Sequence, residues 1–158
     1  MAQFSIESNG RLEKTVIYLN GEQLGGVKEI FLNLDEDGTF DSIIQYEGSD
    51  KILYTKQIFT EYLERIKVVE ASFTEEEAEE LQLLTLDSDG EIENTNVLLN
   101  NEPLDGIVSL LVHIKGAASN TGIQSLFKLK KPIPDHPEFK AEITFRNQDN
   151  TIETEAIF

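Results

Sequence analysis

QFSIESNGRLEKTVIYLNGEQLGGVKEIFLNL, residues 3–34, returns eighty residues later as LLTLDSDGEIENTNVLLNNEPLDGIVSLLVHI, residues 83–114. The two stretches align without a gap and share nine identities in 32 positions. Elsewhere they keep character, as in Phe4 with Leu84, Ile6 with Leu86, Val27 with Ile107, Ile30 with Leu110 and Leu34 with Ile114. Agreement at one constant offset marks an internal duplication rather than chance.

Within each copy the apolar period is two, the period of a strand with one buried face. Phe4 and Ile6 alternate ahead of Asn9-Gly10, as Leu84 and Leu86 do ahead of Asp89-Gly90, and such pairs suit hairpin turns that need positive φ. Asn20-Gly21 and Asn100-Asn101 mark a second pair of equivalent turns. Gly26 or Gly106 then precedes a strand carrying Ile30, Leu32 and Leu34, or Leu110, Val112 and Ile114. Further strands are expected at 40–46, 51–55, 123–130, 141–146 and 151–157. FDSIIQY at 40–46 can be set against IQSLFKL at 123–129, an offset of 83.

Two segments read as helix. In SFTEEEAEELQLL, Thr74 can cap with Glu77 completing a capping box, and the glutamates favour the positive end of the helix dipole. In QIFTEYLERIK, Phe59, Leu63 and Ile66 recur at intervals of four and three, giving an expected short helix near 58–67. Lys131-Pro132-Ile133-Pro134-Asp135-His136-Pro137 reads as a stiff connection that breaks strands. The fold class expected is mainly β: two similar small antiparallel modules, 1–71 and 83–158, joined by a short acidic α-helix within 72–82, rather than one continuous sheet. Each module is near the lower size limit for independent stability, so an interface between modules, or an oligomer, is expected.

The chain has 158 residues, 39% apolar and 27% charged, with 10 glycines and 4 prolines, a globular composition. Its 30 acids and 13 bases give a formal charge of −17, which makes nucleic acid a poor direct ligand. The absence of cysteine excludes thiol catalysis, disulfides and cysteine-ligated metal. The start, MAQFSIESNG, does not read as a signal sequence and no stretch approaches 18 apolar residues, so a soluble, cytoplasmic chain without membrane partners is expected. The acid excess divides into six for 1–71, five for 72–82 and six for 83–158, so the joint is the densest in charge.

Candidate sites are few. NLDEDGTFDSII offers Asn33, Asp35, Asp37, Gly38, Thr39 and Asp41 at calcium-loop spacing, but the closing position is Ile44 rather than glutamate, and strands flank the loop. LDSDGEIEN carries Asp87, Asp89, Glu91 and Glu93, yet its duplicate has Arg11 in place of Glu91, which favours a turn over a metal site. His113 occupies a strand slot and His136 the proline-rich connector, with no catalytic motif beside either. Glu22 and Glu102 recur at equivalent turns and could form an acid–base pair if the modules faced each other.

No catalytic residue, metal or cofactor is therefore assigned. The expected function is a non-enzymatic accessory protein that binds a basic partner through Glu75, Glu76, Glu77, Glu79, Glu80, Asp35 and Asp37. A nucleic-acid-binding enzyme is one such partner, and inhibition by DNA mimicry is the sharpest version; the compact repeated β pattern would suit a small viral or microbial accessory protein. The alternative is a structural or assembly protein that forms homo-oligomers through its duplicated β modules, with a calcium-binding β module as the lesser alternative.

Overall fold

A computed structural model describes residues 2–70, 73–115 and 138–158. The first copy of the repeat forms β1 (Ala2–Ser8), β2 (Thr15–Leu19), β3 (Glu22–Gly25), β4 (Val27–Asp35), β5 (Phe40–Glu47) and β6 (Leu53–Gln57), followed by the short β7 (Lys67–Val69). Helix α1 (Glu75–Ala78) leads into the second copy: β8 (Gln82–Ser88), β9 (Asn96–Leu99), β10 (Glu102–Pro103), β11 (Ile107–Lys115), β12 (Glu138–Arg146) and β13 (Ile152–Ala156). The strand expected at 123–130, the segment 123–129 and the connector 131–137 with His136 lie outside the described residues.

The strands form two antiparallel sheets, ordered β10-β9-β8-β1-β2-β3-β7 and β13-β12-β11-β4-β5-β6. Their inward faces contribute to one buried cluster, which includes Phe4, Ile6, Leu84 and Leu86 from the first sheet and Ile30, Leu32, Leu110 and Val112 from the second. The mainly antiparallel β class and the short joining helix are as the sequence implies. The expectation of separate sheets is not: the copies are joined edge to edge in both. In the first sheet β1 pairs with β8, and in the second β4 pairs with β11.

These seams relate the copies by an internal twofold axis. Ser5 lies opposite Thr85 and Leu32 opposite Val112, so at each seam a residue faces its own duplicate. Every other pairing follows by symmetry, as Phe4 with Leu86 and Ile6 with Leu84. At the centre of the first seam the Ser5 and Thr85 hydroxyls are 2.9 Å apart and buried, so each partner satisfies the other.

Five of the nine identities close turns. Ser8, Gly10 and Thr15 close the first connection: the Gly10 N–H donates to Ser8 Oγ at 3.0 Å, Ser8 Oγ lies 2.7 Å from Thr15 Oγ1, and Thr15 Oγ1 donates to the Arg11 carbonyl at 2.6 Å. Because the Thr15 proton goes to Arg11, Ser8 donates to Thr15. Ser88, Gly90 and Thr95 repeat the relay onto Glu91 at 3.0, 2.7 and 2.7 Å. Asn20 and Asn100 adopt positive φ in the next turns, and their side chains accept from the Gln3 and Leu83 N–H groups at 2.9 Å. Gly26 and Gly106 take φ of +74° and +73°, and at Gly26 a Cβ would lie 2.6 Å from the Glu47 carbonyl oxygen. The duplication thus preserves residues that close turns, while many core positions drift among apolar residues, as Phe4 to Leu84.

The second half of the repeat has a register different from that expected. Hydrogen-bonded pairing makes β12 the counterpart of β5, with Phe139 for Phe40, Ala141 for Ser42, Ile143 for Ile44 and Phe145 for Tyr46, an offset of 99 rather than 83. The match continues through the turns at Asp50 and Asp149, each accepting a backbone N–H two residues on, to Ile58-Phe59 and Ile157-Phe158. Ile58 and Ile157 are both buried.

Residues 58–66 form turns and irregular chain rather than the expected helix, and Lys67 begins β7. Arg65 has φ +62°, which breaks helical geometry, and Ile58 and Leu63 are buried against the core. Their helix-like spacing comes from a strap that covers one side of the sandwich, held by the Tyr46 hydroxyl donating to the Glu64 carbonyl at 2.7 Å. Helix α1 carries the expected capping box of Thr74 and Glu77 but lasts only four residues before the chain enters β8.

Leu32→Ala, at the centre of the second seam, should cost about 2–5 kcal/mol, and Tyr46→Phe about 0.5–1.5 kcal/mol. Urea unfolding of both variants checks this ordering; a Leu32→Ala cost below that of Tyr46→Phe would contradict the placement of the core.

Candidate functional site

Two crevices open between the sheets, and the twofold axis exchanges them. The first is lined by Leu12, Thr15, Ile17, Gln23, Leu24 and Lys28 among others, with Ile114 contributed by the other copy. The second is lined by the duplicates Ile92, Thr95, Val97, Pro103, Leu104 and Val108, with Leu34 from the other copy. Their volumes are about 300 and 460 Å³. The larger falls in the range of small-molecule and peptide side-chain sites.

The crevices have diverged in charge. Lys28 in the first is Val108 in the second, so the larger crevice has no Lys or Arg among its described lining residues. Its rim holds Asp35, Glu36, Glu93 and Asp105 over a floor of Leu34, Ile92, Val97, Leu104 and Ile107. Local structure fixes these carboxylates. Asp35 ends β4, Glu93 lies in a short 3₁₀ turn at Ile92–Asn94, and Asp105 precedes Gly106, whose positive φ starts β11. The Glu36 N–H donates to the Val108 carbonyl at 2.9 Å, which ties the β4–β5 turn to β11. Beside the crevice, Arg146 donates to Glu36 at 2.8 Å, leaving Asp35, Glu93 and Asp105 as rim carboxylates without a salt-bridge partner among the described residues.

The sequence-selected acids divide between opposite ends of the sandwich. Glu75, Glu76, Glu77, Glu79 and Glu80 belong to α1 and its C-terminal flank, beside the turn containing Lys14, which lies 3.5 Å from Glu77. Asp35 and Asp37 lie in and next to the larger crevice. The nine-residue β4, roughly 27 Å of strand, separates these ends. Asp35 and Asp37 also close their own turn, accepting from the Asp37 and Thr39 N–H groups at 3.2 and 2.9 Å, and Thr39 holds the Asp37 carboxyl below its ordinary pKa. Asp41 stands on β5 opposite Asn33. Among the described residues no three Asp, Glu or His side chains converge as a metal site.

The Glu22–Glu102 pair does not form. The two residues stand on β3 and β10 with four strands between them, roughly 24 Å apart. His113 does have an acidic neighbour that sequence proximity missed: Glu29 on the adjacent strand places Oε2 2.6 Å from Nε2, on the outer face of the second sheet. The β4–β11 register sets His113 opposite Phe31 and Glu29 opposite Lys115, so Glu29 and His113 are diagonal neighbours on one face, a contact that follows only from that long-range seam.

Compared with protein-family models, with curated proteins and with solved structures, the chain matches none.

The capping box gives α1 a defined response to acid. The backbone N–H of Thr74, with Lys14 nearby, holds the Glu77 carboxyl below its ordinary value of 4.5. A depressed carboxylate contributes stability that is present above the ordinary value and lost as pH falls through the lowered one. Glu77→Gln should therefore be less stable than the parent chain at about pH 6, and the difference should shrink below about pH 4. Urea midpoints at the two pH values read this directly; a gap that stays constant would rule out the charged box.

Proposed function

We propose that the protein is a non-enzymatic protein-binding module that receives a basic, partly apolar segment of its partner in the crevice of the second copy. The observation that carries this reading is the divergence of two crevices from one ancestor. The first has a lysine in its wall, while the second has an apolar floor, a carboxylate rim and no base among its described lining residues. An aliphatic side chain would displace water from Leu34, Val97, Leu104 and Ile107, and Lys or Arg heads would meet Asp35, Glu93 and Asp105.

The overall charge of −17 supports the same partner class, because it steers a basic surface toward this one from beyond contact distance. Inhibition of a nucleic-acid-binding enzyme is one biological form of such capture. A phosphate-like track drawn through both α1 and Asp35–Asp37 is less well supported, since those acids stand at opposite ends of β4. The helix glutamates form a second acidic patch that would contribute to steering rather than to contact in the crevice.

A short peptide alternating Leu or Val with Lys or Arg should shift the amide resonances of Val97, Leu104 and Ile107. Val108→Lys should weaken binding by about tenfold or more by returning an amine to the wall. Titration followed by two-dimensional NMR is the check. Equal shifts with a Glu-substituted peptide, or no shift at millimolar peptide, would contradict the proposal.

A further inference from the structure

Among the described residues the two sheets have four edges, protected in different ways. In the first sheet β10 ends in Pro103. The Leu104 N–H donates inward to the Val97 carbonyl at 2.9 Å, so the neighbouring position 103 faces the outer edge, and proline removes the donor there. The duplicate position, Gln23, instead pairs outward with Val69 of β7, itself only three residues long. The first sheet is therefore poorly suited to further pairing.

The second sheet ends in β6 and β13, five residues each, without proline. They are duplicates, and each carries charge on the side facing the core. Lys56 of β6 lies opposite buried Ile44, whereas Glu153 and Glu155 of β13 lie opposite Phe145 and Ile143. Inward-pointing charges deter edges from pairing with their own kind. In full antiparallel overlap β13 against β13 sets Glu153 opposite Glu155, β6 against β6 sets Lys56 opposite Tyr54 with no opposite charge to meet, and only β6 against β13 joins opposite charges.

We propose that copies of this chain associate head to tail, β6 of one adding to β13 of the next. Neighbours in the six-strand sheet are all antiparallel, so β6 and β13 run in opposite directions, and a following copy continues the same alternation. Full overlap of the five-residue strands sets Lys56 opposite Glu153 and Tyr54 opposite Glu155, with Leu53 opposite Ala156 on the outer side. Leu53 and Ile152, duplicates on these edges, are 56% and 54% exposed in the single chain and lose part of that exposure on pairing. The contact is heterologous, so it propagates into a ring or filament rather than closing as a twofold dimer. It is independent of the crevice reading, which concerns residues elsewhere on the sandwich.

A five-residue edge is small beside a standard protein interface, and copies of charge −17 repel, so the association belongs to high protein concentration at an ionic strength near 0.15 M, where the Debye length is about 8 Å. Sedimentation velocity from micromolar to millimolar chain is the measurement, on the parent protein, Lys56→Glu and Glu153→Lys, with circular dichroism confirming that each folds. The parent should form species larger than a dimer. Each variant alone should dissociate, with a dissociation constant raised roughly tenfold or more, because its two edges then carry the same sign of charge. An equimolar mixture should assemble again as an alternating array. At one junction the carboxylate introduced at position 56 meets the amine introduced at position 153, and at the next the unchanged Lys56 of one variant meets the unchanged Glu153 of the other. Lys56→Glu also loses the ion pair with Glu64 at 3.1 Å, so Glu153→Lys provides the test from the edge that lacks this pair. A parent that stays monomeric at millimolar concentration, a closed dimer insensitive to both substitutions, or a mixture that fails to reassemble would overturn the proposal.

Discussion

The pairing of β1 with β8 and of β4 with β11 is the constraint on which the rest of the molecule depends. A half built from one copy would expose two strand edges and one side of a thin core, and a domain of that size is marginal. Joining the copies at both seams covers those edges and merges two small cores into one containing Phe4, Leu32, Leu86 and Val112. The internal twofold follows from the way duplicates face each other, Ser5 with Thr85 and Leu32 with Val112. Much that lies distal to the seams then occurs twice: two hydroxyl-locked turns, two asparagine turns, two crevices and, in the second sheet, two duplicate outer strands.

Duplication followed by divergence is also what gives the molecule direction. With identical copies, the crevices and the edges of the second sheet would be equivalent. Lys28 against Val108 separates the crevices by charge, Gln23 against Pro103 separates the edges of the first sheet, and Lys56 against Glu155 separates those of the second. The chain therefore combines a symmetric frame with polar surfaces, and its acidic excess is less informative than the places where a base has been kept or lost.

Local features were legible in the sequence because they rest on short-range physics. Alternation gave the strands, Asn20-Gly21 and Asn100-Asn101 gave their turns, and Thr74 with Glu77 gave the helix cap. The seams were not legible, since period two states that a strand has a buried face but not which strand lies beside it. The correct counterpart of β5 was hidden for a related reason: between β11 and β12 the spacing changes, so Ile44 matches Ile143 only once pairing is known. The helix-like spacing of Phe59, Leu63 and Ile66 misled because a strap over a core can place apolar groups at those intervals without helical φ and ψ. The larger crevice was invisible because its walls come from both copies; of its rim only Asp35 stood among the acids expected to bind a partner, and Glu93 was read as part of a turn.

If the seams make one structure of two copies, the protein unfolds as a unit. Native-state hydrogen exchange across a denaturant series tests this most directly. Amides of β1, β4, β8 and β11 should be the slowest and should converge on one opening free energy equal to that of global unfolding. A second copy whose amides exchange together at a distinctly lower free energy, while the first stays protected, would contradict a shared core and return the molecule to two independent modules.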